Sequence, residues 1–180
     1  MAEWHTWQRP VRDVIHIFCD AAGDPARVAA IAWDKGDVWY VDCQPPTSIT
    51  GRWCARRDQQ IMGLELLSFA LALPTFEKLC RGRRVVLYGD NRGAECCFRS
   101  GTAKHKDHSQ IVHAMWTHAA VCHMHLRIER VGTRDNWADL PSRSAYDTLK
   151  YVGAVECQPV FAKVYGLGDA GELVSRMLCP

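Results

Sequence analysis

No apolar run in the 180-residue sequence is long enough to span a bilayer, and the first residues carry no apolar secretory core. The sequence therefore predicts a protein without a membrane association and an intracellular location, in the cytoplasm or the nucleus. In that compartment the nine cysteines are expected to be reduced. This disfavours a secreted domain held together by disulfides.

Paired CxxC motifs are also absent from the sequence. Cys122, His123 and His125, with His118 nearby, could form a zinc cluster, but Cys-His-x-His does not have the spacing of a structural zinc site. Zinc binding by these residues is therefore the less favoured interpretation.

A strong charge imbalance is absent as well, since the formal net charge is +2 at pH 7. The protein as a whole is not basic enough to attract nucleic acid, so any such surface has to be a local patch. No internal repeat or low-complexity segment is present. With 48% hydrophobic residues, the chain is expected to form one globular domain with a sizeable core.

The residue patterns that are present predict an α/β fold with a mixed five-stranded sheet, an antiparallel meander plus parallel strands, flanked by helices. The predicted strands cover 14–19, 27–33, 38–41, 85–88 and 126–131. The predicted helices cover 58–73, 75–80, a segment up to about 99, 109–122 and a segment from about 138. Asp58 is the expected cap and Pro74 the expected end of the first helix, and 101–108 is expected to be a loop.

Four acidic residues stand inside or at the end of apolar segments rather than in one charged run. Asp20 ends VIHIFCD, Glu65 stands among leucines in QQIMGLELL, Asp90 ends RRVVLYGD, and Asp139 lies in DNWADLPSR. An acid in an apolar pattern costs on the order of several kcal/mol unless it is paired or metal-bound. Each acid alone has a structural explanation, such as a turn, an exposed helix face, or a helix cap at Asp90 with Asn91. Four together indicate a metal site.

These motifs, in this order, resemble the ribonuclease H-like superfamily, and most closely the RNase H domain of retroelement reverse transcriptases. The resemblance covers about 14–143 and implies the ribonuclease H-like fold, with a lead-in over 1–13, a catalytic domain over 14–152 and a tail over 153–180 that could dock on it. In that family the domain normally follows a polymerase, for which 180 residues leave no room. The chain is therefore expected to be part of a larger reverse transcriptase polyprotein, or a domesticated remnant of one.

The resemblance implies a metal-dependent endoribonuclease that cleaves the RNA strand of RNA–DNA hybrids by two-metal-ion hydrolysis. Asp20, Glu65, Asp90 and Asp139 would be its catalytic residues and its metal ligands. They would hold two Mg²⁺ ions, for which Mn²⁺ would substitute, because hard cations prefer oxygen ligands. The mobile histidine that many members carry before the last acid has no counterpart between residues 129 and 135.

Basic and amide side chains near the acids are expected to contact the phosphates of the hybrid, which positions the duplex without reading its sequence. The expected substrate-binding residues are Asn91, Arg56, Arg57, Gln59, Lys104, Lys106, Arg134, Asn136 and Arg143. The amide of Asn136 could also fix the loop that carries Asp139, and Ser142 belongs to the PSR ending of the last motif.

Two alternatives to this function stay open. A nuclease of the same fold could act on DNA, as integrases and junction resolvases do, because a fold does not determine a substrate. A non-catalytic scaffold for nucleic acid or protein is the second alternative. Such scaffolds usually lose one or more of the acids, and all four are present in this sequence.

Overall fold

The structure is a computed structural model that describes residues 14–51, 53 and 60–162. Three of the expected substrate contacts, Arg56, Arg57 and Gln59, lie outside the described residues, as does the expected helix cap Asp58. The expected lead-in and residues 163–180 lie outside them too. Within the described ranges, every helix is too short or too polar to cross a bilayer.

A mixed sheet with the strand order β5-β4-β1-β2-β3-β6 forms the centre of the fold. Its strands are β1 (Val14–Gly23), β2 (Ala26–Asp34), β3 (Asp37–Cys43), β4 (Arg84–Gly89), β5 (His125–Arg130) and β6 (Val155–Glu156). The first three strands form an antiparallel meander, while β4 pairs parallel with β1, β5 with β4, and β6 with β3. The predicted mixed sheet is confirmed, with a sixth short strand in addition to the five expected.

Helices cover both faces of this sheet. They are α1 (Thr47–Thr50), α2 (Ile61–Thr75), α3 (Glu77–Cys80), α4 (Arg92–Ser100), α5 (Lys106–Val121), α6 (Asp139–Ser142) and α7 (Asp147–Tyr151). The long helix α2 lies on one face of β1 and β2 and is covered in turn by α4 and α5, so all of 63–73 is buried. This position explains why the sequence of α2 is apolar on every side. The helices α6 and α7 pack on the other face, around Ile31 and Tyr40.

The start of α5 differs from the prediction. Residues 101–108 are polar and were expected to be a loop, but α5 begins at Lys106. A polar first turn is compatible with a helix because its N–H groups have no partner inside the helix and an acid there, such as Asp107, interacts well with the helix dipole.

The end of α2 also differs, because Pro74 lies inside the helix, which continues to Thr75. A proline has no N–H, so it cannot donate to the carbonyl oxygen four residues earlier, that of Ala70. This carbonyl accepts a hydrogen bond from the backbone N–H of Ala162 instead, at 2.9 Å. The Thr75 side chain exchanges two further hydrogen bonds with the backbone of Val160, at 3.1 and 3.0 Å. The segment up to Ala162 thus docks on α2.

Candidate metal centre

Asp20 and Asp90 lie side by side because β1 and β4 are adjacent parallel strands. Phe18 pairs with Tyr88 in this register, so the two acids, each two residues further along, reach the same level of the sheet. Asp20 does not end its strand as expected. The strand continues to Gly23 because its pairing with β2 continues beyond the last pair with β4.

Glu65 approaches the same point from α2. The helix comes close to the end of β4 because residue 89 is a glycine, where an added Cβ would lie only 2.8 Å from Cζ of Phe69. One carboxylate oxygen each of Asp20, Glu65 and Asp90 lies within 4.8 Å of the other two. The structure therefore gathers three acids that are far apart in the chain.

Burial and mutual repulsion make these acids poor anions without a partner. Burial, followed by the charges of Asp20 and Asp90, raises the pKa of Glu65 to about 9. The pKa of Asp20 is raised to about 6, mainly by burial and further by Asp90 and Asp139, although the hydrogen bond from Ser142 lowers it. The arrangement favours either a proton or a cation between the carboxylates.

A divalent cation fits this donor set. Among the described residues, no side chain or backbone group donates a hydrogen bond to the buried Oε2 of Glu65. A buried oxygen without a partner costs about 1–3 kcal/mol or more when it is charged. Three convergent carboxylate oxygens suit hard cations such as Mg²⁺ and Mn²⁺, so a bound ion would offset both this cost and the repulsion.

Asp139 lies near the cluster of Asp20, Glu65 and Asp90 but is not one of these three convergent carboxylates. It begins α6 on the opposite face of the sheet from α2, is half-buried, and its charge contributes to the raised pKa of Asp20. Its Oδ1 accepts a hydrogen bond from Nε of Arg143 at 2.5 Å. The fourth predicted ligand is therefore close enough to act on Asp20, and it already has a cationic partner.

Two buried side chains hold the carboxylate of Asp20 in place. Oγ of Ser142 donates to Oδ2 of Asp20 at 2.5 Å, and Nδ2 of Asn136 donates to Oδ1 at 3.2 Å and to the carbonyl oxygen of Cys19 at 3.0 Å. Both residues are 3% exposed. Asn136 was expected to contact the substrate or to fix the loop that carries Asp139, and in the structure its amide joins that loop to Asp20 and to the backbone of Cys19. For Ser142 the sequence signal was its place in the PSR ending, three residues after Asp139.

Replacing Ser142 by alanine is expected to weaken Mg²⁺ binding about 10–100-fold, the usual effect of losing a group that orients a metal ligand. In the wild type the hydrogen bond from Ser142 lowers the pKa of Asp20, so its loss should raise that pKa. Half-maximal Mg²⁺ binding should therefore move to higher pH in the variant. Calorimetric titration with Mg²⁺ across pH 5–8 measures both effects. Ser48→Ala, a change at an exposed serine of α1, is the matched control. Equal Mg²⁺ affinity in Ser142→Ala and wild type would contradict the positioning role.

The remaining expected substrate contacts lie at the surface or at helix ends. Asn91 caps α4, since its Oδ1 accepts hydrogen bonds from the backbone N–H groups of residues 93 and 94 at 2.9 and 3.1 Å. Lys104, Lys106 and Arg134 are exposed. Arg143 is also exposed, with 67% of its side chain accessible, although it pairs with Asp139.

The two lysines lie at and just before the start of α5. Nε2 of His108, in the first turn of α5, is 3.1 Å from where a Cβ on Gly63 would lie, so the start of α5 packs beside the start of α2. Glu65 is only two residues further along α2. This packing places Lys106 near the end of α2 that carries Glu65, and Lys104 lies two residues before α5.

Comparison with known proteins identifies the fold. No model of a known protein family matches the chain, and no curated protein matches it. Among solved structures, the N-terminal RNase H domain of Rv2228c from Mycobacterium tuberculosis, solved as a fusion with maltose-binding protein, is similar with a TM-score of 0.53 and 16% sequence identity. The similarity covers 79% of this chain and 99% of that chain. At this identity the similarity concerns the fold, and the chain therefore has the ribonuclease H-like fold that the order of its motifs predicts.

Proposed function

We propose that the protein is a metal-dependent endoribonuclease that cleaves the RNA strand of RNA–DNA hybrids. The observation that carries this proposal is the convergence of Asp20, Glu65 and Asp90, with oxygens within 4.8 Å of one another, on a ribonuclease H-like fold. A glutamate whose pKa is raised to about 9 by burial costs folding free energy at neutral pH. A scaffold has no need for such a residue, whereas a metal-dependent nuclease does.

In this proposal Asp20, Glu65, Asp90 and Asp139 hold two Mg²⁺ ions, and Mn²⁺ can replace them. When bound, the ions supply an activated water for attack on the phosphodiester and neutralise the charge of the leaving oxygen. Asp20 is the central residue of this set, because it shares the cluster with Glu65 and Asp90 and also senses the charge of Asp139. The protein's own contribution is preorganisation, since two buried donors hold Asp20 before any ligand binds.

The substrate surface in this proposal consists of the exposed cations around the carboxylates. Arg143 is placed beside Asp139 and can donate to a phosphate once the hybrid approaches, while Lys104, Lys106 and Arg134 extend the positive surface. Arg56, Arg57, Gln59 and the amide of Asn91 complete the proposed set. Phosphate contacts supply affinity that falls with salt, and discrimination between RNA and DNA comes from the 2′-hydroxyl groups.

We further propose that this activity belongs to the RNase H domain of a retroelement reverse transcriptase inside the cell. The support is the sequence of the motifs themselves, above all the leucine-flanked glutamate in QQIMGLELL and the ending DNWADLPSR. In that setting the polymerase would supply part of the contacts with the hybrid, so the chain alone is expected to bind its substrate weakly.

Incubation with an end-labelled RNA–DNA hybrid tests the function directly. We expect the RNA strand to be cut in Mg²⁺ and in Mn²⁺ and to stay intact in EDTA, because the chemistry needs the ions. Matched double-stranded RNA and double-stranded DNA are the control substrates and should stay intact. Cleavage of the DNA duplex would instead favour a DNA nuclease, and a bound but uncut hybrid would favour a scaffold.

A further inference from the structure

A second cluster of metal-ligating side chains lies away from the carboxylates. Glu77 begins α3, His118 lies in the last turn of α5, and Cys122 is the C-terminal cap of α5. The helix α3 comes before β4 and Asp90 comes after it, so the cluster and the carboxylates lie at opposite ends of this strand. Six residues of strand span roughly 20 Å. The two clusters are therefore independent sites.

Two of the three distances in this cluster match those between the ligand atoms of one tetrahedral metal ion. Nε2 of His118 lies 3.4 Å from Oε2 of Glu77 and 3.7 Å from Sγ of Cys122. Tetrahedral zinc, with bonds of about 2.0–2.3 Å, separates a nitrogen from an oxygen ligand by about 3.4 Å and from a sulfur ligand by about 3.6 Å. All three ligand atoms lie within 4.8 Å of one another.

The backbone explains this match. His118 and Cys122 are four residues apart in α5 and its cap, which puts both side chains on one face of the helix. The turn after α3 is tied to the same point, because the backbone N–H of Gly82 donates to the carbonyl oxygen of Cys122 at 3.0 Å. The third ligand thus comes from a helix that the fold holds against the end of α5.

We propose that Glu77, His118 and Cys122 form a binding site for Zn²⁺ that is separate from the Mg²⁺ site, with water as the fourth ligand. An imidazole nitrogen, a thiolate sulfur and a carboxylate oxygen are ligands that Zn²⁺ accepts and Mg²⁺ does not prefer. The local sequence signal, Cys122 with His123 and His125, pointed to other ligands. In the structure both of those histidines are exposed, and neither belongs to the cluster.

Arg81 is the group that competes with a metal ion for this cluster. Its Nη2 donates a hydrogen bond to Oε1 of Glu77 and lies 3.4 Å from Sγ of Cys122. The Arg81 side chain is 53% exposed, so it can turn into water when a metal ion takes the place of its charge. Metal binding also displaces the proton of the Cys122 thiol, whose pKa burial raises.

A bound ion would cross-link α3 to the end of α5. This link would join the two connections that lead into β4 and β5, since α3 precedes β4 and Cys122 precedes β5. Zn²⁺ at 100 times its dissociation constant is then expected to raise the Tm of the protein by roughly 5–10 °C. The effect is structural, and its measurement does not depend on nuclease activity.

Titration of the metal-free 180-residue chain with Co²⁺ tests the site. We expect a thiolate-to-cobalt charge-transfer band in the near ultraviolet together with the intense visible bands of tetrahedral Co²⁺, and loss of both when Zn²⁺ is added. The carboxylate cluster has no thiolate and cannot produce the first band. Cys122→Ser should abolish it, whereas Cys96→Ser, at an exposed cysteine outside the cluster, should leave it unchanged.

Two further variants keep the test decisive if Cys122→Ser folds poorly. Glu77→Gln, at a half-exposed position, should lower Co²⁺ affinity at least about tenfold by removing one ligand charge. Arg81→Gln should raise the affinity about tenfold by removing the competing cation. Persistence of the band in Cys122→Ser, unchanged affinity in Glu77→Gln, or loss of binding in Arg81→Gln would each overturn the proposal.

Discussion

Replacing Asp90 by asparagine is expected to slow cleavage of the hybrid RNA by at least about 1,000-fold, which corresponds to about 4 kcal/mol of transition-state stabilisation. The change removes a negative charge where metal ligands converge and almost no volume, so the fold and the affinity for the hybrid should stay nearly unchanged. Asp90 follows β4 directly and is half-buried, and a neutral amide oxygen there is a much weaker ligand for Mg²⁺.

Single-turnover cleavage of an end-labelled hybrid in Mg²⁺ measures this loss, and a gel-shift titration in Ca²⁺ measures binding. Asp147→Asn is the matched control, because Asp147 is an exposed acid in the first turn of α7 and lies outside the carboxylate cluster. It should cleave at the wild-type rate. A variant Asp90→Asn that also cleaves at that rate would remove Asp90 from the mechanism.

Replacing Glu65 by glutamine is expected to stabilise the metal-free protein by about 3 kcal/mol at pH 7 and, at the same time, to abolish Mg²⁺-dependent cleavage. The pKa of Glu65 rises from the ordinary 4.5 to about 9 in the folded state. Folding therefore disfavours the charged form. The resulting loss of folding stability is absent below about pH 4.5, grows as the pH rises toward 9, and is constant at higher pH. Glutamine cannot ionise and carries no such cost.

Urea unfolding in EDTA at pH 5, 7 and 9 measures this difference. The free energy of unfolding of the wild type should fall as the pH rises over this window, mainly because Glu65 ionises. Asp20 adds a smaller decrease below about pH 6. The free energy of unfolding of the variant should fall less. Adding Mg²⁺ should stabilise the wild type more than the variant. Glu156→Gln, at an exposed glutamate whose hydrogen bond from the Tyr40 hydroxyl a glutamine oxygen can also accept, should change stability by less than about 0.5 kcal/mol. A Glu65→Gln variant less stable than wild type at pH 7 would contradict this account.

The secondary structure was largely predictable because apolar runs and their spacing are local properties of the chain. The three strands of the meander, the apolar helix that carries Glu65 and the strand before Asp90 all occur where the sequence predicts them, with boundaries shifted by a few residues. The strand β6 was not predictable. It has two exposed residues and no pattern of its own, and it forms because the edge of β3 is available to it.

The docking of the segment after residue 153 is a second feature that could not be predicted from the sequence. Pro74 was expected to end α2, which is the local consequence of its missing N–H. What the missing donor does to the fold depends on another part of the chain, since the carbonyl oxygen of Ala70 accepts from Ala162 instead. The sequence shows that Pro74 lacks an N–H donor, but only the tertiary structure shows which residue supplies the replacement hydrogen bond.

The sequence by itself determined the fold class, the four acids and the elements that carry them, because an acid within an apolar segment is visible without any partner. Tertiary structure alone decided that Asp20 and Asp90 lie at one level of the sheet, that Ser142 and Asn136 hold Asp20, and that Glu77 joins His118 and Cys122. The physical reason is that these contacts depend on strand register and helix packing between segments tens of residues apart. Residue patterns encode which side chains are buried, and the register decides which buried side chains meet.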